Sequence, residues 1–134
     1  MAEERTLCFM HDFRRLEVWC RARDLVVEVD RATRQFPRSD RGVIASQLRR
    51  AALSIPANIA EGCGRHSRRE TVQYLRVASG SATEAESHLE VAAGLRYLNA
   101  AQRERLVGEF KAIQRMLFRL IQNLPESPGA SGSR

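Results

Sequence analysis

The chain carries little that could staple it. Its three cysteines, Cys8, Cys20 and Cys63, are an odd number at irregular spacing, which argues against a secreted disulfide framework. No apolar run approaches the roughly 18 residues a membrane span requires. The opening MAEERTLCFMHDF also lacks the basic-then-apolar layout of a signal peptide. Aromatic residues make up only 6% and mostly fall on apolar stripes, so Phe13 and Trp19 read as core and recognition by base stacking is not expected. No stretch alternates apolar and polar residues over strand length, which excludes a sheet protein. What is present is 134 residues, 43% hydrophobic and 28% charged. That is the balance of one globular domain able to bury roughly two-thirds of its unfolded surface. The expectation is a soluble, cytoplasmic protein with no membrane partner.

Charge is unevenly spread. Net charge is +6, and 21 of the 22 basic residues are arginine, Lys111 being the exception. Residues 1–69 carry 14 arginines against 9 acids, whereas residues 70–134 are close to neutral. A basic half suits an anionic partner, nucleic acid above all, although basic proteins also use such charge for solubility.

Proline and glycine divide the chain at Phe36-Pro37, Gly62-Cys63-Gly64, Leu98-Asn99 and Leu124-Pro125. Four segments of helical period lie between these marks. The first places Trp19, Ala22, Val26, Val29, Thr33 and Phe36 on one stripe, and the third Leu75, Ala78, Ala82, Ala85, Leu89 and Ala92. The fourth runs Leu106, Phe110, Ile113, Leu117, Leu120 and Leu124. Ser67-x-x-Glu70 predicts a capping box opening the third helix, and Asn99-x-x-Gln102 a weaker one opening the fourth. Helices of roughly 20 to 28 residues joined by short connections predict an all-α fold, an antiparallel up-down-up-down four-helix bundle. Residues 12–124 are expected to form this bundle, after a leader at 1–11 and before a tail at 125–134 that is expected to be disordered.

The second helix carries too little charge for an ordinary surface helix. Ile44, Leu48, Ala51, Ile55 and Ile59 would face the core. The remaining surface holds Leu53, Pro56, Ala57 and Ala60, with Arg49 as its one strong charge. A subunit interface accounts for this economically. A second stripe, Gln47, Arg50, Ser54, Asn58 and Glu61, predicts a hydrogen-bonded ladder, with Glu84 and Ser81 of the third helix beside it. An active site built on Arg50, Glu61 and Glu84 is the alternative. Without a nucleophile–base pair or a carboxylate–histidine set, a polar network fixing register and subunit contacts is preferred. Pro56 removes an N–H inside this helix and predicts a kink.

The segment GCGRHSRRE, residues 62–70, places Arg65, Arg68 and Arg69 beside a helix start, where backbone N–H groups favour a phosphate. Arg14 and Arg15 form a weaker basic pair. Cys8-x-x-His11 and Cys63-x-x-His66 offer two sulfurs and two nitrogens, but isolated thiols and histidines are the commoner outcome. No metal or cofactor is expected.

The segments FRRLEVWCRARDLVVEV (13–29), FPRSDR (36–41), SQLRRAALSIPANIAEGCGR (46–65) and YLRVASGSATE (74–84) resemble the four-helix bundle family encoded by intervening sequences in bacterial 23S ribosomal RNA genes. The resemblance runs from Asp12 to Leu124. It implies a small helical bundle assembled as a homopentameric ring. It also implies kinship with the accessory protein of diversity-generating retroelements, a basic pentamer that associates with a reverse transcriptase and with nucleic acid. The family's recurring polar positions fall on Gln47, Arg50, Ser54, Asn58, Glu61 and Glu84, none with a catalytic role. The chain departs from the pattern at Asp30, where an aromatic is common, and at Gly42-Val43, which displaces a glycine. Residues and resemblance together imply a non-enzymatic, basic oligomer that contacts RNA or DNA phosphates, or else a protein-only interaction module.

Overall fold

The computed structural model describes residues 12–125. The expected leader and nearly all of the expected tail lie outside them, as do Cys8 and His11. Four α-helices make up the fold: α1 (Glu17–Thr33), α2 (Val43–Cys63), α3 (Arg68–Gly94) and α4 (Ala100–Asn123). Two short 3₁₀ turns, Phe13–Arg15 and Arg38–Asp40, precede α1 and α2. Packing runs α1 on α2, α2 on α3, α3 on α4 and α4 back on α1, a four-helix bundle in which α2 and α4 are diagonal. Cross-helix contacts set the directions. Ser54 meets Ser81 and Gly62 meets Thr71; Glu90 meets Arg103 and Thr83 meets Gln114; Arg21 meets Glu109 and Glu28 meets Arg105. Each pair of contacts runs opposite along its two helices, so the chain goes up, down, up, down. None of these helices is long and apolar enough to cross a membrane.

The stripes of α3 and α4 pack as their periodicity predicts, except that Leu120 stays half-buried at the edge of the core. Leu75, Ala78, Ala82, Ala85, Leu89 and Ala92 are sealed from solvent, and so are Phe110, Ile113 and Leu117. The first helix differs from its expected register. Val18, Ala22, Leu25, Val29 and Thr33 are buried, while Trp19 and Val26 are half-buried at the edge of the core. Both registers offer an apolar stripe. Phe13 packs on Trp19 at a tilt of 55° with ring centroids 4.9 Å apart, and this pairing holds the indole at the margin. The helix is also shorter than expected, at 17 residues. Phe36 lies beyond its end and packs on Tyr97, 5.2 Å between centroids, closing that end of the bundle.

Pro56 does not lie on the outer surface of α2 but is buried. With Ala51, Ala52, Ile55, Ile59, Gly62 and Cys63 it gives α2 a buried side wide enough to serve both α1 and α3. The helix continues through the proline without interruption from Val43 to Cys63. The α2–α3 seam is built from small residues, with Ala78, Ala82 and Ala85 on the α3 side. At Gly62 a methyl group would meet the Cβ of Tyr74 at 3.2 Å and the carbonyl of Thr71 at 3.3 Å. Thr71 Oγ1 donates to the Gly62 carbonyl at 2.9 Å, so this contact is also hydrogen-bonded.

Helix starts are secured unequally. Asn99 and Gln102 form a complete capping box, the side chains accepting from the partner backbone N–H groups at 2.8 and 3.0 Å. Ser67 supplies only half of one, its Oγ accepting from the N–H of Glu70 at 3.2 Å. The start of α2 has no capping side chain at its N-cap, Gly42, which takes the left-handed conformation (φ 75°) after a left-handed Arg41. The turn so formed folds Asp40 under the helix, where its buried carboxylate accepts from Ile44 N–H and Ala45 N–H, both at 3.1 Å. Removing this cap in Asp40→Ala is expected to cost about 1–2 kcal/mol. Urea unfolding measures the loss, and an unchanged midpoint would discard the carboxylate as the anchor of α2.

The α1–α4 seam is more open. Arg21 bridges it with two hydrogen bonds to Glu109, both 3.1 Å, while the two side chains stay 41% and 28% exposed. The Arg21 guanidinium, through its hydrogen bonds and its charge, holds the Glu109 carboxyl below its ordinary value of 4.5. The stabilisation is therefore complete at neutral pH, starts to fade below about pH 4.5 and disappears as the lowered folded value is passed. Solvent screening keeps it under about 1 kcal/mol. Glu109→Gln should lose that amount at pH 7 and nothing in strong acid, a difference that paired unfolding curves will display.

Candidate functional site

The antiparallel path puts the start of α1, the end of α2, the start of α3 and the end of α4 at the same end of the bundle. The two basic groups that the sequence kept apart, Arg14-Arg15 and Arg65-Arg68-Arg69, therefore share that end. Their individual states differ. Arg65 donates to Glu61 at 2.6 Å and lies over the Tyr74 ring, 4.8 Å from its centroid. The Glu61 hydrogen bond raises the Arg65 pKa above its ordinary value, so this guanidinium is already partnered. Arg68 reaches across to the last turn of α4, donating to the carbonyls of Ile121 at 3.4 Å and Leu124 at 3.5 Å. It thus adds a donor to the carbonyls that end α4, of which Ile121 also accepts from the Leu124 N–H at 3.4 Å. Arg69 and His66 are exposed and make no ion pair among the described residues. Arg14 pairs with Asp12 at 3.5 Å and covers the Phe13 ring at 4.5 Å. Arg15 is exposed and has a partner of its own.

The polar stripe of α2 forms a shorter ladder than its spacing suggests. Ser54 and Ser81 hydroxyls bond across the helix pair at 2.8 Å. The Asn58 amide donates to Ser54 Oγ at 3.0 Å and to the Ser54 carbonyl at 2.8 Å. Glu61 does not extend this ladder, because it turns one helical turn onward to Arg65. Gln47, Arg50 and Glu84 are exposed and make no side-chain hydrogen bond or ion pair among the described residues, so the Arg50–Glu84 partnership is not formed. The network is half-buried and limited to Ser54, Ser81 and Asn58. Arg49 is not a free surface charge either, since it donates to Thr33 Oγ1 at 3.2 Å from a half-buried position.

Beside that ladder α2 exposes apolar surface. Leu53 is 58% exposed and Ala57 is exposed one turn on; Val77 of α3, one turn before Ser81, is 48% exposed. Arg50 and Glu61 are the only charged residues on this side of α2, and Glu61 is neutralised by Arg65.

Among the described residues no three His, Cys, Asp or Glu side chains converge as metal ligands. Cys63 is buried, and desolvation pushes its thiol up to about 11, which disfavours the thiolate a metal or a nucleophilic role requires. His66, its expected companion, is exposed. His88 is half-buried, with Nε2 shielded from solvent and without a hydrogen-bond partner.

One group escaped the sequence reading. Lys111, Arg115, Phe118 and Arg119 lie together on the outward side of α4 around a shallow depression of about 600 Å³. Phe118 is 62% exposed, against the expectation that aromatics would fall inside. Leu117 holds the core position next to it.

A solved structure with this fold is that of a protein of unknown function from the S23 ribosomal protein family of Bacteroides thetaiotaomicron. It superposes with a TM-score of 0.72 at 24% identity, covering 79% of this chain and 99% of its own. No curated protein sequence matches this chain. The family described as 23S rRNA-intervening sequence protein matches residues 14–119. With the bundle, its register and that match in agreement, the chain belongs to the 23S rRNA-intervening sequence protein family.

Proposed function

We propose that the protein is a non-enzymatic, cytoplasmic homo-oligomer that acts as a scaffold binding RNA or DNA through phosphate contacts. The observation that carries the proposal is the meeting of Arg14, Arg15, Arg65, Arg68 and Arg69 at one end of the bundle. Arg69 offers an unpaired guanidinium, and Arg14 and Arg65 can exchange surface carboxylates for phosphates at small cost, since exposed ion pairs contribute little. Arg68 stays as a structural brace. Contacts of this type position a backbone and carry little sequence information.

The weakly charged flank of α2 supports self-assembly. Leu53, Ala57 and Val77 make a patch beside a hydroxyl and amide ladder, the mixture of apolar core and polar rim that subunit contacts use. A second copy of the chain is the occupant proposed, and the resemblance to the family makes a ring of five the expected number. Repetition of the arginine end around a ring multiplies weak contacts without any new chemistry.

Leu53→Glu leaves the fold of one subunit intact, because the side chain is exposed there, but should shift the assembly to single chains on a sizing column. An oligomer that persists would remove this patch from the interface. Changing Arg14, Arg15, Arg65 and Arg69 together to Gln should flatten the dependence of binding on salt, by roughly 0.7 to 0.9 in logarithmic slope for each phosphate no longer neutralised. Gel shifts with structured RNA, duplex DNA and single-stranded DNA read the slope. If the parent chain binds none of them at low salt, the protein is a module for protein partners, such as a reverse transcriptase.

A further inference from the structure

We infer that the outward face of α4 is a single-strand binding platform, on which Phe118 stacks an unpaired base while Lys111, Arg115 and Arg119 hold the adjoining phosphates. This rests on the nucleic-acid reading above and names the form of nucleic acid and the surface that receives it.

Lys111, Arg115 and Arg119 recur every four residues, so they line one side of the helix, spaced about 6 Å along its axis. All three are exposed, and none makes an ion pair among the described residues. Seven arginines elsewhere are engaged differently. Arg14, Arg21, Arg23, Arg34, Arg65, Arg103 and Arg105 each have a carboxylate partner. On α4 no acid follows Glu109, so residues 110–123 form a helical stretch with cations alone. The helix dipole favours cations only within the last turn and therefore does not account for Lys111 and Arg115.

Phe118 sits inside this cationic stripe, one residue before Arg119 and three after Arg115, with its ring 62% exposed. Burying a phenyl ring is worth about 1.5–3 kcal/mol, and an apolar protein partner that buried this one would also have to desolvate the cations beside it. A single strand removes that conflict. Its base takes the ring face and its phosphates take the charges, the pairing of aromatic platform and basic track that single-strand binders use. A duplex keeps its bases stacked and cannot use the ring. Gln114 borders the same depression. With its amide oxygen toward Thr83 it accepts from that hydroxyl at 2.9 Å and donates to Glu86 at 3.0 Å.

The test is fluorescence anisotropy of the full chain with labelled oligo(dT), oligo(U) and a duplex hairpin at low salt. Phe118→Ala should weaken both single strands about tenfold and leave the duplex within twofold, and Phe118→Trp should restore the loss. Lys111→Gln, Arg115→Gln and Arg119→Gln together should lower the single-strand salt slope by about 2. All these positions are exposed, so thermal melting should match the parent. Parental single-strand affinity in Phe118→Ala, or an equal loss on duplex, overturns the platform. If the parent binds and only the arginine-end variant loses affinity, the platform falls while the proposed function stands. If the parent binds no nucleic acid, both fall.

Discussion

The close approach of α2 and α3 is the constraint on which the rest of the molecule depends. Two helices meet closely only when the residues between them are small, and here Ala78, Ala82, Ala85 and Gly62 occupy the seam. Two features accompany that geometry. The pair buries its small side chains completely, giving the bundle a stiff half. Leu53 and Val77, which the helical register places on the outer face of the pair, stand outside it. The narrow seam and the exposed apolar flank thus belong to the same helix pair, and the proposed self-assembly would cover the flank.

The other half of the bundle is built on different principles. Between α1 and α4 the contact is lighter and is crossed by the Arg21–Glu109 and Arg105–Glu28 pairs. Side-chain ends and backbone carbonyls do the fastening at the termini, as with Arg68 on the last turn of α4 and Asp40 beneath the first turn of α2. Much of the arginine excess has such an internal use. Arg69 at the bundle end and the stripe from Lys111 to Arg119 are among the cations that lack one, and an anion there would displace no ion pair.

The periodic pattern made the fold legible wherever one register clearly exceeded its neighbours. In α3 and α4 the stripes from Leu75 and from Leu106 had no rival, and they pack as read, half-buried Leu120 excepted. In α1 the residue pairs Val18–Trp19 and Leu25–Val26 are apolar in both registers, and the choice was made by Phe13, a partner outside the helix. The cap by Asp40 was hidden because it depends on two left-handed residues, Arg41 and Gly42, between the carboxylate and the helix. Within the candidate site, clustering of charge was legible but its engagement was not. Spacing cannot tell that Arg68 reaches a carbonyl of α4, that Glu61 prefers Arg65 to Asn58, or that Leu117 takes the core and leaves Phe118 in water.

Membership in the 23S rRNA-intervening sequence protein family fixes the architecture, and the physical account of its use rests on whether the flank of α2 meets another subunit. Sedimentation velocity of the unmodified chain at micromolar concentration reads this most directly. A single species several times the 15.2 kDa of one chain is the result the account predicts. A species of 15.2 kDa, with Leu53 accessible to solvent, would contradict it.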